Sequence, residues 1–355
     1  MNDIESTAIK LLRYGIGRDE ECHIPSSLDV HELYDFSQKQ GISAMVLDGM
    51  DKCICQGQQL VLNFQSKMKW IGHSQQTEAI YEQHKKAICN LARFYKQYGI
   101  RMMLMKGVGL SLDYPVPNHR PCGDIDIYLY GNLELADNLI RKHYGIEIDH
   151  DQHKHTIFQY EGVTVENHYD FANYHKHKSS RDLDAWLKEE CKKDSIEIWD
   201  NVFLPSPSFN AIFLLHHAAS HFAAEEITIR HLLDWAFFVE KHYDEVDWEW
   251  HWKVCQKHNM HIFLLAVNEI CVKYLGFDAS KFRMGCHAEI TEKMFREILS
   301  PAYIERGIKG PYIYVRWRKW WANRWKHRIV YPESLSSTFF HQLYAHLMKP
   351  ATLHK

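Results

Sequence analysis

The chain has 355 residues, of which 46% are hydrophobic and 25% are charged, and its formal net charge is −3. This length and composition are typical of a globular protein with room for two domains. The near-neutral charge excludes a general attraction to nucleic acid or membranes, so any such attraction would need a local patch.

The first residues carry acids and lack the apolar segment that a signal peptide needs. The longest apolar run, residues 209–224, is interrupted by three histidines and is too short to span a membrane. We therefore expect a cytoplasmic protein. Its nine cysteines show no C-x-x-C spacing and are expected to be reduced thiols.

Helices are predicted over much of the first part of the chain. Three segments repeat apolar residues at helical spacing, namely 5–15, 26–41 and 61–99. The second and third end at glycines, which commonly stop helices. We predict an N-terminal helical region over residues 1–99.

The pattern changes at Ile100, where short strand signals begin. The segments "IRMMLMKG" and "DIDIYLY" predict strands, and two further strands are predicted on either side of a turn at Glu161-Gly162. Short helices are predicted for "VGLSLDY" and for "NLELADNLIRKHYG", with Asn132 as the N-cap. Residues 100–204 are therefore predicted to form a small mixed α/β core.

Helical patterns return in the C-terminal region, residues 205–355. They cover segments 208–226, 228–244 and 247–276, whereas the chain after Ala279 is predicted to be irregular. Near its end, "YVRWRKWWANRWKHRIVY" carries six basic residues and no acid, namely Arg316, Arg318, Lys319, Arg324, Lys326 and Arg328. Trp317, Trp321 and Trp325 recur every four residues. This tail either contacts RNA, protein or a membrane surface, or packs its tryptophans on the body as an amphipathic helix.

The residues with the clearest chemistry lie in the predicted core. Lys106-Gly107 ends a strand and opens a helix, where free N–H groups and a glycine permit close approach of a phosphate. Asp124 and Asp126 project from one face of a strand, because side chains alternate. Two carboxylates so close together favour a cation between them, and Mg²⁺ binds carboxylate and phosphate oxygens. Glu166, on a later strand, would complete the cluster.

These motifs and their order resemble the uncharacterised nucleotidyltransferase family of bacteria, within the polymerase-beta-like superfamily. The resemblance covers roughly residues 30–275 and rests on Lys106, Gly107, Tyr114, Pro115, Arg120, Gly123, Asp124, Asp126, Glu166 and His168, followed by His217, His221, Arg230 and Asp234. It implies an α+β fold in which a polymerase-beta-like nucleotidyltransferase core, a small mixed sheet with helices, is flanked by N- and C-terminal helical regions.

The resemblance implies an enzyme that uses Mg²⁺ or Mn²⁺ to move an NMP from an NTP, with ATP expected, to a hydroxyl of an unknown acceptor by a two-metal mechanism. Asp124, Asp126 and Glu166 would be the catalytic residues and metal ligands. The nucleotide would bind to Lys106, Gly107, Arg120, Gly123 and His168.

Two departures from the superfamily pattern leave an alternative open. Val108 follows Gly107 where serine or glycine is usual, so no hydroxyl is available at the phosphate turn, and Glu166 stands where aspartate is commoner. The alternative is a catalytically weak or inactive member of the same fold that binds a nucleotide or a partner.

Most of the histidines are expected to have roles other than metal binding. His217 and His221 lie four residues apart on one helix face but lack the glutamate of an H-E-x-x-H zinc motif, so we expect them to line the cleft. Arg230 and Asp234, also four apart, are expected to form a helix-surface pair or to brace the cleft. The runs "DHDQHKH" and "NYHKHK" are expected to be scattered, solvent-exposed histidines.

Overall fold

The computed structural model describes residues 1–23, 25, 28–58, 64–150, 153–174, 177–193, 195–224, 226–301, 318 and 320–348. Its strands are β1 Met102–Leu104, β2 Ile125–Tyr128, β3 His155–Tyr160, β4 Val163–His168, β5 Ser195–Trp199 and β6 Val202–Pro205. The helices up to the sheet and within it are α1 Asp3–Gly15, α2 Val30–Lys39, α3 Ser43–Cys55, α4 Phe64–Lys96, α5 Val108–Ser111, α6 Leu133–Tyr144 and α7 Arg181–Glu190.

The C-terminal helices are α8 Pro207–Ala224, α9 Ile229–His242, α10 Trp248–Lys257, α11 His261–Lys273, α12 Ala288–Leu299, α13 Arg324–Val330 and α14 Leu335–Met348. The predicted α+β class, with a small mixed sheet between helical regions, is confirmed. None of the described helices is long and apolar enough to cross a lipid bilayer.

The six strands form one mixed sheet in the order β3-β4-β2-β1-β6-β5. Strand β2 runs parallel to β4, with Asp126 paired to Glu166, and antiparallel to β1. Strands β3 and β4 form the predicted hairpin, and its turn residues Glu161 and Gly162 have φ of 50° and 80°. Positive φ at both positions suits a two-residue turn that follows the twist of the sheet.

The two faces of the sheet have different chemistry. Ile125, Ile127 and Val165 point to one face, where they share an apolar core with α4 and α6. Because side chains alternate along a strand, Asp126 and Glu166 point to the other face. Helices α8 and α9 lie over that second face. The carboxylates are therefore placed between the sheet and the C-terminal helices.

The long helix α4 connects two hydrophobic cores. Near its start, Trp70 belongs to a core shared with the C-terminal helices and donates a hydrogen bond of 2.9 Å to the carbonyl of Ser43. Near its end, Leu91 and Tyr95 pack under the sheet. The buried residues of the N-terminal region thus belong to cores that also include later parts of the chain, and the predicted domain boundaries stay a prediction.

Several elements differ from the predictions, and α7, β5 and β6 lie in segments for which no element was predicted. Helix α3 lies in a segment without a predicted helix, where Gly49 weakens the helical signal. The helical pattern over residues 247–276 is confirmed as two helices, because Asn259 has a φ of 59° and separates α10 from α11. The chain after Ala279 is not simply irregular, since α12 buries an apolar face that includes Phe295.

Helices α1 and α3 cross in backbone contact at two glycines. A Cβ on Gly49 would lie 2.0 Å from the carbonyl oxygen of Leu11, and one on Gly15 would lie 2.1 Å from that of Met45. Neither position can hold a larger side chain without moving a helix. This contact fixes α1 against α3 more tightly than ordinary side-chain packing would.

We expect Gly49→Ala to lower the free energy of unfolding by about 2 kcal/mol or more, because overpacking forces the two helices apart. Gly72→Ala, in α4, is the matched control, since a Cβ there would meet no heavy atom within 4 Å. Alanine at that site should be neutral or stabilise by about 0.5–1 kcal/mol. Urea denaturation measures both effects, and equal stability of the two variants would contradict the proposed contact.

Candidate active site

Three carboxylates meet on the polar face of the sheet. Asp124 directly precedes β2, Asp126 lies within β2, and Glu166 lies beside Asp126 on β4. Their carboxylate oxygens lie within 4.8 Å of one another. The structure thus brings together the three acids that the sequence pattern indicates. Three oxygen donors at such spacing form a set that suits Mg²⁺ or Mn²⁺.

The three carboxyl groups differ in their affinity for protons. Burial and the neighbouring Asp126 charge raise the pKa of Asp124. Burial also acts to raise the pKa of Asp126, but the Lys106 ammonium and the hydrogen bond from His168 outweigh it and lower that pKa. The pKa of Glu166 is likewise lowered against burial, chiefly by His168. Lys106 and His168 therefore balance only part of the negative charge.

Lys106 and the glycine turn lie directly beside the carboxylates. Lys106 Nζ is 2.7 Å and His168 Nε2 is 2.9 Å from the same oxygen, Asp126 Oδ1. Gly107 has a φ of 58°, and a Cβ there would lie 3.4 Å from the Asp124 carbonyl oxygen. The predicted helix after this turn exists, but α5 has only four residues. Its short length leaves the turn, rather than a long helix, next to the cluster.

Arg120 forms a buried ion pair with Asp234, the residue that was expected to pair with Arg230 on the same helix. Its Nε and Nη2 donate to the two carboxylate oxygens of Asp234 at 2.6 and 2.9 Å, and the Tyr114 hydroxyl donates to Asp234 at 2.6 Å. Arg230 donates instead to the carbonyl of Pro121 at 3.2 Å. Asp234 therefore holds the loop before β2 rather than pairing along α9, and the role of Arg120 in nucleotide binding stays a prediction.

A cleft between the sheet and helices α8 and α9 is lined by Asp124 and Asp126 of the cluster, whereas Glu166 is not among the described residues that line it. Most of the predicted residues line it, namely Lys106, Gly107, Arg120, Gly123, Asp124, Asp126, His217, Arg230 and Asp234. His168 is buried behind Asp126, and the His221 ring lies next to that of His217, with ring centroids 4.4 Å apart. Burial lowers the pKa of His217 far below its usual value, so this wall of the cleft is an uncharged imidazole at neutral pH.

Two further residues beside the cluster were not identified from the sequence. Lys154, just before β3, interacts electrostatically with all three carboxylates, and burial together with Lys106 lowers its pKa. His155 is 8% exposed, so the prediction of a solvent-exposed histidine is wrong at this position. Its burial follows from the pairing of His155 with His168 across the β3–β4 hairpin, which sequence periodicity alone does not reveal.

His84, on α4, also contributes to the site without a sequence signal. Its two ring nitrogens face the carbonyl oxygens of Ile80 at 2.8 Å and Gly123 at 2.9 Å. The contact with Gly123 ties the residue before Asp124 to the N-terminal helical region. The loop that precedes β2 is thus held by α4 on one side and by α9 on the other.

The basic tail is only partly within the described residues, since Arg316, Trp317 and Lys319 lie outside them. Lys326 is 2% exposed and forms an ion pair of 2.7 Å with Glu297. Its charge is therefore buried, whereas the basic residues of an amphipathic helix were expected to face solvent. Trp325 packs against Phe222, with ring centroids 5.5 Å apart, whereas Trp321 is half exposed. At this end the tail docks on the body, as the amphipathic-helix interpretation expects.

Comparison with known proteins gives one result. A family model described as an uncharacterised nucleotidyltransferase matches residues 26–276. The matched region contains the whole sheet and the cleft, from Lys106 to Asp234, and ends before the basic tail. No curated protein and no solved structure matches the chain.

The buried pair between Arg120 and Asp234 predicts a specific dependence of stability on pH. Although burial opposes ionisation, Arg120 lowers the pKa of Asp234 from 3.8 to about 2. The contribution of this ion pair to the free energy of unfolding is present above about pH 4 and is lost as the pH falls toward 2. At about 1.4 kcal/mol per pKa unit, it amounts to about 2 kcal/mol.

We expect Asp234→Asn to destabilise the protein at pH 7 by about 3 kcal/mol, because the Arg120 guanidinium stays buried without its carboxylate. The variant should also lose less stability than wild type between pH 4 and pH 2.5, as measured by urea denaturation at each pH. Asp182→Asn, which removes an exposed partner of Lys257, is the control and should change stability by less than about 1 kcal/mol. An unchanged pH dependence in Asp234→Asn would refute the assignment.

Proposed function

The chain belongs to the uncharacterised nucleotidyltransferase family, and we propose that it moves an NMP from an NTP to a hydroxyl acceptor at the cluster of Asp124, Asp126 and Glu166. Membership supports nucleotidyl transfer as the class of reaction. The observation that carries the finer proposal is the convergence of three carboxylates on adjacent strands, directly beside a Lys-Gly turn.

Asp124, Asp126 and Glu166 would hold Mg²⁺ or Mn²⁺, since their oxygens are close together and their charge is incompletely balanced. When bound, divalent ions would neutralise phosphate charge and lower the pKa of the acceptor hydroxyl. Lys106 now supplies the positive charge next to Asp126. His168 donates to Asp126 and fixes the orientation of its carboxylate.

The remaining chemistry is positioning of the nucleotide, because phosphoryl transfer asks little more of the protein. We assign the triphosphate to the Gly107 turn, to Lys106 and Arg230 in the cleft wall, and to Lys154, whose charge interacts with all three carboxylates. Arg120 is already bound by Asp234 and would keep the cleft wall in place. Backbone N–H groups of the turn would replace the missing hydroxyl at Val108.

The donor we expect is ATP, and the acceptor would enter from the open side of the cleft. RNA or protein acceptors would find positive charge on the described part of the tail, at Arg318, Arg324 and Arg328. The competing function is nucleotide binding without transfer, which the valine at position 108 favours. In that case the cleft would bind the NTP in a metal-dependent way and leave it intact.

Incubation of the protein with each α-labelled NTP, Mg²⁺ or Mn²⁺ and a lysate tests the proposal. Wild type should transfer label to an acceptor, and Asp124→Asn and Asp126→Asn should each lower the rate by at least about a hundredfold, as expected when charge stabilisation of the transition state is lost. Asp200→Asn, whose carboxylate pairs with Lys96 on the surface, is the matched control and should keep the wild-type rate.

The outcomes separate the two functions. Metal-dependent NTP binding without transfer would support the non-catalytic alternative. The absence of both binding and transfer would refute the assignment of the carboxylates. Transfer that survives both Asp→Asn substitutions would place the chemistry elsewhere in the chain.

Lys154 gives an independent test of where the triphosphate lies. We expect Lys154→Met to raise the KM for NTP by about tenfold and to change kcat less, since a buried cation facing the carboxylates would contact phosphate in the ground state and the transition state alike. Lys142→Met, on the exposed side of α6, is the control. An unchanged KM in steady-state kinetics would remove Lys154 from the nucleotide site.

A further inference from the structure

Glu166 belongs to a second cluster of donor atoms, which it forms with His155 of β3 and His168 of β4. The carboxylate oxygen Glu166 Oε2 lies 3.3 Å from His155 Nδ1 and 3.4 Å from His168 Nε2. A metal ion bound tetrahedrally at roughly 2.0–2.1 Å separates its ligand atoms by roughly 3.3 Å. Two of the three distances between the ligand atoms therefore match such a site.

One ring nitrogen of His155 makes no hydrogen bond to any of the described residues. The residue is 8% exposed, and its Nδ1 atom is buried without a hydrogen-bond partner among the described residues, although Glu166 is near. Buried polar atoms are rarely left unpaired, because their desolvation is costly. The unsatisfied nitrogen lies near the same Glu166 oxygen that His168 approaches, so the missing bond is at the cluster.

His168 is oriented in the manner of a metal ligand. Its Nδ1 lies 3.3 Å from the backbone carbonyl oxygen of Asp170, while Nε2 faces the oxygens of Asp126 and Glu166. Metal-binding histidines commonly donate their other N–H to a carbonyl, which fixes the tautomer and the ring. A metal ion bound at Nε2 would replace the hydrogen bond that this nitrogen otherwise donates to Asp126.

We propose that His155, Glu166 and His168 bind a divalent first-row transition-metal ion, at a position separate from the three-carboxylate set and joined to it through Glu166. Two imidazoles and one carboxylate suit Zn²⁺, Mn²⁺ or Fe²⁺, whereas Mg²⁺ prefers oxygen donors. Three protein ligands leave a coordination position for water or a substrate. The site does not depend on nucleotidyl transfer, since its ligands are in place whether or not an NTP reacts.

Cobalt is a suitable probe, because Co²⁺ occupies such sites and its visible absorption reports the ligands. We would strip the full-length protein of metal with a chelator and titrate it with Co²⁺ in excess Mg²⁺. One Co²⁺ should bind and resist displacement by Mg²⁺. His155→Phe should weaken this binding by at least about tenfold. Phenylalanine keeps an aromatic ring at this position and removes Nδ1, which makes no hydrogen bond among the described residues, so the fold should be retained.

Asp124→Asn is the matched control, since Asp124 belongs only to the carboxylate set. It should abolish transfer yet bind Co²⁺ as wild type does, which separates failure of this proposal from failure of the proposed function. Equal Co²⁺ affinity of wild type and His155→Phe, or complete displacement of Co²⁺ by Mg²⁺, would overturn the site. X-ray absorption of the wild-type cobalt protein needs no variant: imidazole nitrogens around cobalt are expected, and oxygen ligands alone would refute the proposal.

Discussion

Repulsion among Asp124, Asp126 and Glu166 is the interaction around which the cleft is arranged. The register of β2 with β4 puts Asp126 beside Glu166, and the alternation of side chains puts Asp124 on the same side. A one-residue slip would relieve the repulsion but would also turn the apolar side chains out of the core. Lys106 and His168 reduce this repulsion, because the ammonium group of one and a ring nitrogen of the other both contact Asp126 Oδ1. The proposal that the three carboxylates hold Mg²⁺ or Mn²⁺ follows from the charge that these two groups leave unbalanced.

The helical regions complete the site because the loop before β2 has little regular structure of its own. From the N-terminal side, His84 binds the carbonyl of Gly123, and from the C-terminal side Asp234 binds Arg120. The first contact is partly buried and the second is buried, so each would be costly to break. The sheet alone would carry the acids but would leave free the loop that positions Asp124. This explains in physical terms why the family match extends into the helices on both sides of the sheet.

Local patterns in the sequence predict the features that neighbouring residues control. Alternation predicts β2 and the β3–β4 hairpin, and the order of motifs identifies Asp124, Asp126 and Glu166, which the structure brings together. The features that were missed or left open depend on partners far away in the chain. Asp234 pairs with Arg120 rather than along its own helix, and His155 is buried only because of its place in the sheet.

The position of β1 in the sheet has a consequence for the timing of folding. Met102 of β1 pairs with Val202 of β6, so closing that part of the sheet joins segments 100 residues apart. Such long-range pairing is slow, because the entropy of closing the loop is lost before the contacts form. The partner of Arg120 is made later still, on α9. During synthesis the ribosome therefore releases all three acids well before their cleft can close, and the nascent chain carries these carboxylates of β2 and β4 uncovered until α8 and α9 emerge.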